Sequence, residues 1–148
     1  MIFWAILGWA LCQDARADTV PAAPRARVVI AENPGATSAF KPRQEKVNVM
    51  MNRAILKLSG KSDLAQAWRS YVSTQDVVGI KVFSGPGPNS GTRPAVVAAI
   101  IEGLLKAGLP SQRIIIWDRQ LTDLRLAGFD EVARRYKTRL AGSASRVL

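Results

Sequence analysis

The segment Asp76-Val77-Val78-Gly79-Ile80-Lys81-Val82-Phe83, the loop Ser84-Gly85-Pro86-Gly87-Pro88-Asn89-Ser90-Gly91-Thr92-Arg93 and the following Pro94 constrain the chain most, because Ile114-Ile115-Ile116-Trp117-Asp118 comes after them. Between loop and final run, Val97, Ile100, Ile101, Leu104 and Leu105 recur at helical spacing, with Gly108 as stop and Pro110 beyond it. Pro94 suits the first helical position, where a missing N–H costs nothing. Strand, loop, helix and strand with such short connections make a βαβ unit, so the two strands should be parallel with a right-handed crossover. Val78, Ile80 and Val82 should face one side of the first strand, and Gly79, Lys81 and Phe83 the other. The nearly uninterrupted apolar run 113–117 reads as a strand buried on both faces.

The flanking sequence predicts more of the same α/β class. Residues 26–31 (ARVVIA) read as a first strand ended by the turn Glu32-Asn33-Pro34-Gly35. Val47, Met50, Met51, Ala54, Ile55 and Leu58 predict a helix from about Gln44 to Leu58, stopped by Gly60. Ser62-Asp63 can cap a short helix carrying Leu64, Ala67, Trp68 and Tyr71. Leu121, Leu124, Leu126 and Phe129 continue an apolar helical segment with a break at Gly128, and the tail 140–148 reads as frayed. The expected fold is a small parallel sheet with βαβ crossovers and helices packed on it.

Residues 2–12 form an apolar run holding Trp4 and Trp9, followed by the small-x-small pattern Ala15-Arg16-Ala17. That pattern predicts a signal peptide over 1–17, a linker over 18–25 and an exported domain from residue 26; an uncleaved anchor or a buried N-terminal element is the alternative. The run is shorter than the roughly 20 apolar residues of a membrane span, so removal of the leader would leave no stable span. Cys12, the sole cysteine, would leave with it, and the chain has no histidine. Disulfides, iron–sulfur ligation, thiolate zinc and histidine general-base chemistry are then excluded from the mature chain. The sequence names no cofactor.

The net charge is +10, and Asp14 and Arg16 cancel, so losing the leader does not change it. The basic residues are scattered, with local density at Arg134, Arg135, Lys137, Arg139 and Arg146. No aromatic residues interleave with them as a single-strand stacking platform requires, so nucleic acid is not an expected partner.

A site is expected at the carboxyl rim of the sheet, where open α/β sheets bind their ligands. Lys81 and Asp118 should share that rim, with Gly85, Gly87 and Gly91 allowing close backbone approach. Ser84, Ser90 and Thr92 offer hydroxyls, Asn89 an amide, and Arg93 a cation at the start of the helix. A small phosphate or carboxylate would suit this set, and an enzymatic version has Asp118 hold a divalent metal. The loop is neither a Walker motif nor a dinucleotide fingerprint. The bland alternatives are a snorkelling strand lysine at 81, a cap at Asp118 and a ligand-free loop.

These motifs together, with Ile101-Glu102-Gly103-Leu104-Leu105-Lys106-Ala107-Gly108 and Asp118-Arg119, resemble the DUF362 family over residues 28–129. The resemblance implies an α/β domain with Lys81, Thr92 and Asp118 on motif positions, and no established activity. Some members of the family carry iron–sulfur modules, which the cysteine content here does not support. Members tend to have His where this chain has Arg93, and they continue beyond this length. The resemblance therefore predicts a chain truncated at its C-terminus, with a non-catalytic fragment or interaction module as the alternative to a working site.

Overall fold

In the computed structural model, residues 26–143 are described; the leader and linker expected over 1–25 and the tail 144–148 lie outside them. The order is β1 (Thr37–Ser38), β2 (Lys41–Pro42), α1 (Gln44–Ser59), α2 (Leu64–Arg69), β3 (Val78–Lys81) and α3 (Pro94–Lys106). A 3₁₀ turn (Ser111–Arg113) follows, then β4 (Ile114–Asp118), α4 (Leu121–Leu126), α5 (Phe129–Tyr136) and β5 (Arg139–Gly142). β1 and β2 make a two-residue hairpin, and β3, β4 and β5 form a parallel sheet in that order.

Local chemistry sets the element ends as expected. Gly60 ends α1 in the left-handed conformation, with φ 71°, and its N–H closes on the Leu56 carbonyl. Asp63 caps α2 by accepting the Gln66 N–H at 2.9 Å. Pro94 opens α3, and Gly128, with φ 86°, separates α4 from α5.

Both crossovers, β3 to β4 and β4 to β5, move the same way across the sheet. Right-handed connections therefore put α3 and the α4–α5 pair on one face. Val82, Ile114 and Ile116 point into that side and are buried with Ile101, Leu104 and Phe129. Val78, Ile80 and Leu140 pack against the same core. α1 and α2 lie behind, against α3.

Three expectations are corrected. Residues 26–31 form no strand: they run extended beside α1, with Val28 80% and Ile30 79% exposed. The expected frayed tail instead begins with β5, whose Arg139, Leu140, Ala141 and Gly142 register with residues 115–118 of β4. Strand β4 is buried on one face alone: Ile114, Ile116 and Asp118 are buried, while Ile115 and Trp117 are half-buried outside the core. A sheet wound in one direction has helices for one face, and this accounts for the third correction.

Candidate functional site

The carboxyl rim is organised by Asp118, the last residue of β4. Its Oδ2 accepts both the Ser84 N–H, at 2.8 Å, and the Ser84 hydroxyl, at 2.6 Å. Its Oδ1 accepts the Arg119 N–H at 2.8 Å and lies 2.8 Å from the Lys81 ammonium. Burial pushes the carboxyl pKa up and is the largest single influence. The Lys81 ammonium, the Ser84 hydroxyl and the N–H groups of Ser84 and Arg119 together outweigh it, and hold the group well below the usual carboxylate range. Asp118 is therefore ionised, buried and fully engaged.

Lys81 starts from the helix-free face of β3. Its ammonium passes 5.8 Å from the centroid of the Trp117 ring, its register partner, and reaches Asp118 at the rim while donating to the Val82 carbonyl. The side chain stays half-exposed. Its stem crosses apolar surface while its head meets water and carboxylate, a snorkelling geometry with a specific partner.

The loop 84–93 is pinned at both ends. Ser84 is buried on Asp118. At the other end, Thr92 donates its N–H to the Phe83 carbonyl and its Oγ1 accepts the Phe83 N–H, both at 2.9 Å. Gly91 passes so close to the Phe83 carbonyl oxygen that a Cβ could not fit there. Gly87, with φ 80°, donates to the Ser84 carbonyl at 2.9 Å and makes the first turn of the loop. Arg93 folds back, its Nη1 donating to the Pro88 carbonyl at 2.6 Å.

Of the ten residues expected at the site, Lys81, Ser84 and Asp118 meet directly. Thr92, Gly91, Gly87 and Arg93 shape the loop. Gly85, Asn89 and Ser90 are exposed along it. Asp118 does not cap α4, whose N-cap is Gln120. Nor is it disposed to take a metal, since protein donors already fill both oxygens; among the described residues no three His, Cys, Asp or Glu are grouped to hold one. No helix of the described residues is long and apolar enough to cross a membrane.

A second polar cluster escaped sequence reasoning. Glu102, on the otherwise apolar α3, accepts the Tyr136 hydroxyl on Oε1 at 2.6 Å and the Asn48 amide on Oε2 at 2.8 Å. Gln44 extends it, donating to Asn48 Oδ1 at 2.8 Å and to the Ala95 carbonyl at 2.9 Å. A lone carboxylate inside the apolar run Ile100-Ile101-Glu102-Gly103-Leu104 was the signal that could have found it. It joins α1, α3 and α5.

Comparison of the chain with known protein families, with curated proteins and with solved structures gave no match.

Proposed function

We propose that the carboxyl rim binds a small anionic ligand, a phosphate or carboxylate, in an exported DUF362-like domain. The observation that carries this reading is the charge arrangement around a loop held from beneath. Asp118 is buried and matched by Lys81, so its charge is spent internally. Arg119 is exposed next to Asp118, Arg93 is held on the Pro88 carbonyl within the loop, and the Lys81 ammonium is half-exposed, on the rim whose loop also exposes Gly85, Asn89 and Ser90. A rim with three cations and one buried, matched carboxylate attracts anions. The reading is binding rather than catalysis: Asp118 is committed to Ser84, and histidine is absent from the chain.

The test is thermal stabilisation of the purified chain by inorganic phosphate at constant ionic strength. Saturable binding at 100 times Kd would stabilise by about 2.7 kcal/mol. Lys81→Met and Arg119→Ala should each weaken the saturable shift. A shift that never saturates, or is unchanged in both variants, overturns the reading.

One observation favours a second reading, an interaction module. The helix-free face of the sheet presents exposed Phe83 beside half-buried Ile115 and Trp117, and parallel sheets are ordinarily covered on both faces.

A further inference from the structure

The sheet stops at β3: among the described residues no strand lies on its outer side. In a parallel ladder, successive residues turn their backbone groups to opposite sides. Val82 donates inward, to the Trp117 carbonyl at 3.0 Å, so Gly79 and Lys81 turn their N–H and C=O groups outward. Phe83, next in that outward row, is already closed by its two bonds with Thr92. The open edge is thus short, and Gly79 and Lys81 define it. A bare edge of this kind is a template for another strand.

A strand-like segment without a strand partner lies in the same chain. Residues 26–31 alternate in exposure at 28–31, and Val28 and Ile30 are strongly exposed. The segment rests loosely on α1, with a cleft of about 710 Å³ between residues 27–30 and Leu56, Lys57, Gly60 and Lys61, and another of about 290 Å³ further along.

Its direction is the informative part. Arg27 and Val28 lie near Gly60 and Lys61, whereas Glu32 and Asn33 lie near Val49 and Met50, so the segment runs antiparallel to α1. Helix α1 runs alongside α3 in the same sense, since Gln44 bonds to Ala95 and Asn48 to Glu102. Helix α3 in turn runs back across the sheet between the parallel strands β3 and β4. The segment therefore already points the way β3 points.

We propose that residues 26–31 add to the outer edge of β3 as a fourth parallel strand, with α1 as their crossover helix. The resulting connection moves across the sheet in the same direction as the other two. A right-handed crossover then requires α1 on the face that holds α3, which is where it packs. The tether suffices. The Arg43 N–H bonds the Ala36 carbonyl at 2.8 Å and keeps the β1–β2 hairpin ends together at the start of α1. Residues 32–35 are closed into a turn by the Ala36 N–H on the Asn33 carbonyl at 2.9 Å and the Gly35 N–H on Asn33 Oδ1 at 2.8 Å. Opening these two bonds lets them span about 13 Å, more than two strand spacings of about 4.8 Å.

Amide exchange and NOE spectra of the isotopically labelled full chain test this. The expected result is cross-strand NOEs between residues 27–31 and 78–81. The Gly79 and Lys81 amides should also exchange about 100-fold more slowly than in the Val28→Pro, Val29→Pro double variant, which removes a central donor of the added strand in either register. Absence of these NOEs, with Gly79 and Lys81 exchanging at free-peptide rates in the unaltered chain, overturns the proposal, and this holds even if the double variant fails to fold. Protection that disappears on dilution together with a dimer mass also overturns it, by assigning the edge to a second copy.

Discussion

Asp118 and Ser84, 34 residues apart in sequence, share a single carboxylate oxygen that accepts both the serine N–H and its hydroxyl. This latch fastens the loop after β3 to the end of β4, and Ser84 is 1% exposed within it. Removing one side leaves a buried polar group without its partner. Ser84→Ala should therefore cost about 1.5 kcal/mol and Asp118→Asn about 2–3 kcal/mol in urea unfolding. Lys81→Met should cost under about 1 kcal/mol, because its ammonium is half in water. A Lys81 cost equal to that of Asp118 would show that the ion pair, not the serine latch, holds the loop.

The same latch predicts an acid limb in stability. The folded state holds the Asp118 carboxyl below the ordinary aspartate value of about 3.9. The unfolded state binds the proton first, so the contribution is complete above that value and is lost as pH falls through the folded one. Unfolding free energy should fall more steeply below about pH 4 in the unaltered chain than in Asp118→Asn. Parallel curves would refute the assignment.

Tyr136 supplies the opposite limb. Burial, then the Glu102 carboxylate that accepts its hydroxyl and its charge, push its pKa up to about 12, with Arg135 pulling the other way. A folded pKa above the unfolded one means stability is complete below about pH 10 and declines as pH rises through about 12. Tyr136→Phe should cost about 1.5 kcal/mol at neutral pH and remove this contribution to the alkaline decline. Tyrosinate absorbance should show one hydroxyl titrating near 12 in the unaltered chain and lost in the variant.

Much of this was legible in advance because punctuation residues act locally. Gly60, Asp63, Pro94 and Gly128 each set an element end through their own backbone or side chain, and each did so where the pattern placed it. Lys81 and Asp118 were legible as rim neighbours because parallel strands share a carboxyl end. What they do there was not, since the partner is a serine whose burial depends on how the loop closes. β5 was hidden for a related reason: Arg139-Leu140-Ala141-Gly142 has no apolar run, and it is a strand because β4 offers it an edge. Glu102 was hidden because its partners come from two other helices.

Gly103 in the middle of α3 sets up a test in which propensity and packing disagree. Alanine in a helix interior is favoured over glycine by about 1 kcal/mol. Here the Trp68 indole lies directly on Gly103, and an added Cβ would collide with ring atoms rather than with a flexible chain end. Trp68 is 9% exposed and packs in the α1–α2–α3 core. Gly103→Ala should therefore destabilise, by about 1–3 kcal/mol, and the added cost should shrink when Trp68→Leu is present. A stabilised Gly103→Ala variant would mean the indole moves aside freely.

Adjacent isoleucines in β4 test whether the sheet is covered on one face alone. Ile116 is fully buried among the helices, whereas Ile115 lies on the other face, half-buried and outside the core. Truncating a buried isoleucine forfeits its transfer energy and leaves a cavity, so Ile116→Ala should cost about 3–4 kcal/mol. Ile115→Ala opens no enclosed cavity and should cost about 1 kcal/mol. Chemical denaturation of the two variants under matched conditions measures the difference. If instead Ile115→Ala costs as much as Ile116→Ala, the second face is packed against something in solution, and the interaction reading gains over the anion reading. Exposed Phe83 on that same face supplies the control: Phe83→Ser should leave stability within about 0.5 kcal/mol if the face is bare.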